Sequence, residues 1–126
     1  MTETDAQRQQ RAGLSSMQIA DAEAAAVAKT PNRVSLDHLL SRISDEEFLH
    51  PRLHPHMTIL VATLENGFIV IGQSTPADPA NFNPELGMKF AKEDVIRQMW
   101  KLEAYLLRER MHLEEADGPS DVRAGT

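Results

Sequence analysis

The sequence predicts an α+β fold: two N-terminal helices, a two-stranded antiparallel β-hairpin and a long C-terminal helix. Three observations predict it. Residues 58–75 hold two apolar, β-branched runs on either side of Asn66-Gly67. From Pro84 onward, apolar residues recur every three or four positions for about seven turns. Upstream, an Ala-rich segment and a Leu-rich segment are separated by Thr30-Pro31-Asn32.

In chain order, the polar residues 1–14 read as a disordered tail. A first helix follows over 15–29, opened by a capping box of Ser15 with Gln18 and closed before Pro31. Ser35 is the expected N-cap of a second helix, with Leu36, Leu39, Leu40 and Ile43 on one face and Asp37 in its first turn. Asp45-Glu46-Glu47 reads as a further helical turn ending near Phe48 and Leu49. His50-Pro51-Arg52-Leu53-His54-Pro55-His56 is a stiff extended connector into the hairpin.

Asn-Gly between apolar runs is the signature of a type I′ turn, which needs positive φ at both central residues. That turn sets Leu64 opposite Ile69 and Ala62 opposite Ile71. One face then carries Leu60, Ala62, Leu64, Ile69 and Ile71. The other carries Ile59, Val61, Thr63, Phe68 and Val70. Both are mainly apolar, so each calls for cover. Asn83-Pro84 is an N-cap followed by proline at the first helical position. The last helix runs to about Met111 or His112, with Met88, Ala91, Val95, Met99, Leu102 and Leu106 as its stripe. Its small residues Gly87 and Ala91 admit a close neighbour. At about 1.5 Å per residue the helix outruns strands of about 27 Å, so Leu102, Leu106 and Leu107 need a partner beyond the hairpin. The single domain spans 15–112, and 113–126 is a flexible tail.

Net charge is −6, but residues 31–108 hold eight basic and ten acidic residues, near balance. No basic nucleic-acid footprint is visible in that balance, so nucleic acid is not the expected partner. No cysteine is present, which removes disulfides, thiolate metal sites and cysteine nucleophiles. No signal-peptide pattern stands at the start, and no apolar run approaches the roughly 18 residues of a membrane span. The chain reads as soluble and intracellular.

His50, His54 and His56 are the one cluster with metal-ligand character, for which Asp45, Glu46 or Glu47 would have to complete the set. Exposed histidines in a connector explain the same residues without a metal. Trp100 and Tyr105 could stack a base, although a core tryptophan is the commoner use. Ser74, Asp78 and Tyr105 form no recognisable relay. No phosphate-binding loop, nucleophile elbow or His-Glu-x-x-His motif occurs. The expectation is no enzyme, no catalytic residue, no metal and no cofactor.

The run LVATLENGFIVIGQS at 60–74, then Asn81-Phe82-Asn83, Gly87, Ala91 and WKLEAYLL at 100–107, form one ordered pattern. Arg33-Val34-Ser35 with Ile43 and Phe48 precedes it. The pattern resembles the phage protein family typified by gene forty-nine of coliphage N-four and gene sixty-six of Shigella phage Sf-six. It departs from that family at Gln73, where glutamate is common, at Lys101, where proline is frequent, and in lacking a cysteine in the first strand. The resemblance implies a small phage or prophage accessory protein working in the cytoplasm of the infected bacterial host. It brings no established activity and no site residues.

Two functions of different class follow. One is a non-enzymatic protein-interaction module engaging a host or phage protein, with Ile59, Val61, Phe68, Val70 and Trp100 as contact residues. The alternative is a small-ligand or nucleotide-binding protein that sequesters its ligand and interferes with host defence. A compact part of this size supplies only about 3–5 kcal/mol of stability, and one helix covers one hairpin face, so a homodimer is expected.

Overall fold

The computed structural model describes the backbone of residues 5–117 and the side chains from residue 16 onward. The elements are α1 (Asp5–Val27), α2 (Leu36–Ser41), β1 (Ile43–Leu49), β2 (Thr58–Leu64), β3 (Ile69–Ser74) and α3 (Pro84–Ala116), with a 3₁₀ turn at Pro79–Asn81. The strands form an antiparallel meander with β2 in the centre. The expected two-stranded hairpin is thereby corrected to a three-stranded sheet.

The added strand is β1, where a helical turn was expected. Asp and Glu are poor strand formers, but on an edge strand charge serves to block pairing with other chains. A bulge at Ser44 sets the faces: Ile43 pairs with Leu64, and pairing resumes at Asp45 with Thr63. The Ser44 hydroxyl donates to Thr63 O at 3.0 Å. The extra residue turns Glu46 and Phe48 toward α3. Phe48 then packs on the core, and Lys92 reaches Glu46 at 2.6 Å.

The hairpin register also differs from expectation by one residue. Ala62 pairs with Val70 and Thr63 with Ile69. Leu64 O accepts from Gly67 N, and Leu64 N donates to Phe68 O, both at 2.8 Å. The loop is therefore three residues long. Gly67 has φ +90°, and no other described residue has positive φ. Asn66 instead spends its side chain locally, accepting from Phe68 N at 3.0 Å. This is a turn closed by a glycine bulge, the next most common hairpin solution after the two-residue turn. A slip of one residue exchanges the faces of β3. Val70 and Gly72 go inside, and Ile69 and Ile71 go outside.

Leu60, Ala62, Leu64 and Val70 pack on Ala91, Val95, Ile96 and Met99 of α3, with Leu36 and Leu39 of α2 closing one end of the core. Gly72 permits this approach: a Cβ there would stand 2.7 Å from Val95 Cγ2 and closer still to Ala91 O. The N-caps Ser35 and Asn83 are as expected, accepting from His38 N at 3.1 Å and Leu86 N at 3.0 Å. α1 lies along α3. An Arg33–Asp21 ion pair and a Trp100 Nε1–H donation to Val34 O at 3.1 Å tie it in.

α1 starts at Asp5, well before Ser15, so Ser15 lies inside the helix rather than at its start. α3 continues to Ala116, beyond the expected end. The rest of the two expected tails, residues 1–4 and 118–126, lies outside the described residues. The overhang of α3 is real: Leu102, Leu106 and Leu113 are 40–52% exposed.

Candidate functional site

Two surfaces stand out, both consequences of how β2 and β3 are registered. The first is the outer face of the sheet, opposite α3. Register places Leu49, Ile59, Val61, Ile69 and Ile71 there. Ile69 and Ile71 are each 55% exposed and Leu49 36%, while Ile59 and Val61 are half-buried. Asp45 and Glu47 border this face on the β1 side, and its strands carry no basic residue.

The sheet edges, by contrast, are occupied on β3 and guarded on β1. Asp94 Oδ2 accepts from Gln73 N at 3.0 Å, and Gln98 Nε2 donates to Ile71 O at 2.7 Å. α3 thus occupies backbone groups of β3 that face away from β2. The β1 edge carries its bulge and three consecutive acids.

The second surface is a cavity of about 300 Å³ between the hairpin tip and α3. Leu64, Leu102 and Leu106 form its apolar wall, and Phe68 and Tyr105 border it. Arg42, Lys101 and the buried Glu103 contribute its charged groups. Glu103 is already committed. His38 Nε2 donates to its Oε1 at 2.8 Å, and Arg42 Nε lies 3.4 Å from its Oε2. Arg42 Nη1 donates to Glu65 at 3.1 Å. Sequence reasoning passed over Glu103. Its signal was a lone acid at a position α3 turns inward, seven residues from Ile96.

The residues singled out from the sequence fall in different places. Ile59 and Val61 do share the outer face. Val70 is in the core at 3% exposure, and Ile71 takes its place outside. Phe68 stands at the hairpin tip beside the second cavity. Trp100 is half-buried between α3 and the segment before α2, next to a separate cavity of about 430 Å³ against α1.

The three connector histidines do not converge. The connector is two successive turns rather than an extended strut: His54 N donates to Pro51 O and Met57 N to His54 O, each at 3.0 Å. His50 donates from Nδ1 to Met57 O at 2.8 Å and meets the Phe82 ring edge-on. His54 and His56 face each other with ring centroids 6.1 Å apart. Among the described residues, no group of three or more His, Cys, Asp or Glu side chains is placed to hold a metal ion. Among them too, no helix is long and apolar enough to cross a membrane.

Comparison with curated proteins and with solved structures returned no match. The sequence profile of the phage protein (N4 Gp49/phage Sf6 gene 66) family matches residues 18–111. The matched region begins within α1 and ends within α3, so it takes in all three strands and both surfaces just described. The chain belongs to the N4 Gp49/phage Sf6 gene 66 family and is a small phage or prophage accessory protein.

Proposed function

We propose that the protein is a non-enzymatic protein-interaction module that acts during infection, in the cytoplasm of the bacterial host, and meets its partner with the outer face of the sheet. The observation that carries this reading is the uncovered aliphatic face of Leu49, Ile59, Val61, Ile69 and Ile71. The solvated face of an antiparallel sheet is ordinarily polar. Isolated surface aliphatics need no explanation, whereas a contiguous set of them marks a contact surface. The occupied β3 edge and the charged, bulged β1 edge favour docking on the face over strand addition. The Asp45 and Glu47 border favours a partner that is apolar at the centre of its contact surface and basic along one margin. A second copy of the chain, as in the expected homodimer, is the other occupant this face could take.

The test is affinity capture of tagged protein from infected cells, with Ile71→Lys and Val61→Lys beside the wild type, and light scattering of each purified chain. The expected result is a defined partner captured by the wild type and lost in both variants, with folding intact by circular dichroism. If the partner is a second copy, the wild type instead shows twice the 14.1 kDa chain mass and the variants show one. Identical partners and identical mass for all three would overturn the reading.

A second reading, a small-ligand-binding protein that interferes with host defence by sequestering its ligand, is favoured by one observation. The cavity at the hairpin tip has the size and the mainly apolar lining of small-molecule sites, with a few polar groups converging on it.

A further inference from the structure

Resting on that second reading, we propose that the cavity between the hairpin tip and α3 binds a flat aromatic molecule carrying an anionic group, about the size of a mononucleotide. Its volume of about 300 Å³ admits such a molecule and no large one. Leu64, Leu102 and Leu106 supply a wall on which a planar ring loses water without losing hydrogen bonds. Phe68 and Tyr105 are 54% and 70% exposed at its border. Rings left in water beside an apolar cavity are positioned to stack or make edge contacts with another ring.

The charge pattern supplies the second half of the ligand. Both carboxylates near the cavity already have cationic partners: Glu103 faces His38 and Arg42, and Glu65 accepts from Arg42. The cations are less fully used. Arg42 spends Nη1 on Glu65 and turns Nε toward Glu103, where it makes no hydrogen bond, which leaves Nη2. Lys101 makes no ion pair among the described residues. Arg42 and Lys101, which both line the cavity, therefore have donor capacity to spare, while both acceptors are occupied. A neutral ring would leave those donors unanswered, and a cationic ligand would meet Lys101 and Arg42. A carboxylate, sulfonate or phosphate fits.

The experiment titrates the purified full chain with adenosine 5′-monophosphate, adenosine and ribose 5-phosphate, read by calorimetry and by ligand saturation-transfer NMR. The monophosphate is expected to bind about two- to fivefold more tightly than adenosine, the upper part of the range one exposed charge pair supports. Ribose phosphate should give no signal. Lys101→Met should narrow the monophosphate's advantage over adenosine and leave adenosine's own affinity unchanged. Phe68→Ala and Tyr105→Ala, both at exposed positions, should weaken adenosine and its monophosphate alike with the far-ultraviolet spectrum unaltered. Equal binding of the monophosphate and adenosine, or no effect of Lys101→Met, overturns the anionic part and leaves a ligand-binding cavity standing. No binding by any of the three at millimolar concentration overturns both.

Discussion

At Gly72 the sheet and α3 make a close approach, and Gly72→Ala tests it. Ordinary van der Waals contact begins near 3.4 Å, whereas the new Cβ would stand 2.7 Å from Val95 Cγ2 and 3.0 Å from Val95 N. Ala91 O is nearer than either. Val95 Cγ2 could swing away by a rotamer change, but the two backbone atoms could move only with the helix. α3 would therefore have to lift along the line of contact that holds Leu60, Ala62 and Val70 against Ala91, Val95 and Met99. Overpacking of this kind costs about 1–3 kcal/mol. Replacing glycine in a strand returns about 0.5–1 kcal/mol of chain entropy. The net expectation is a loss of about 1–2 kcal/mol, or roughly 5–15 °C in melting temperature for a domain of this size. The assay is urea denaturation followed by circular dichroism, with Gly67→Ala as companion. Gly67 has nothing within 4 Å of its would-be Cβ, so its variant isolates the strain of φ +90°, about 1 kcal/mol. Gly72→Ala within about 0.5 kcal/mol of wild type would refute the close approach, since surface changes of no structural consequence fall in that range.

Three further outcomes are expected. Val70→Lys buries a charge beside Val95 and should unfold the protein, whereas Val61→Lys should lose association but stay within about 1 kcal/mol of wild type in stability, because its side chain points to solvent; comparing denaturation midpoint with scattering mass for the pair separates the two. Glu103→Ala removes the carboxylate that accepts from His38 and pairs with Arg42, and should cost about 1–3 kcal/mol by denaturant titration. A chelator should leave the melting temperature unchanged, because His50 is held by Met57 O and does not converge with His54 and His56 on a shared ligand position; a fall of several degrees reversed by zinc would reinstate a metal.

The elements that local chemistry dictates were legible. Ser35 and Asn83-Pro84 carry cap geometry in single side chains, and both caps are present. β1 was hidden because its stability is not local. Its Asp45-Glu46-Glu47 run disfavours a strand in isolation, and only pairing with β2 over Phe48 and Leu49 compensates. The Ser44 bulge hid it further, since it breaks the period-two alternation between Ile43 and Phe48 that would have announced a strand. Without β1, the hairpin looked like a two-stranded ribbon with two open faces and an unmet need for cover.

One turn sends Val70, expected on the contact surface, into the core. Asn66-Gly67 satisfies two competing geometries: a two-residue loop with both residues at positive φ, or a three-residue loop with only Gly67 there. Leu64 decides between them. In the observed loop its N–H and C=O both bond across the turn, and Val70 rather than Ile71 faces α3. The narrower β-branched side chain then faces inward with Gly72, where α3 comes close, and the two longer isoleucines, 69 and 71, project outward. Core volume thus selects the register, which local turn preference leaves open. The same selection sends Phe68 to the tip beside Leu102 and Leu106. The outer aliphatic face and the cavity at the hairpin tip are therefore two results of a single packing choice. A variant that forced a two-residue turn would exchange Ile71 for Val70 outside and drive the longer side chain toward Val95, so both surfaces should be lost together with stability.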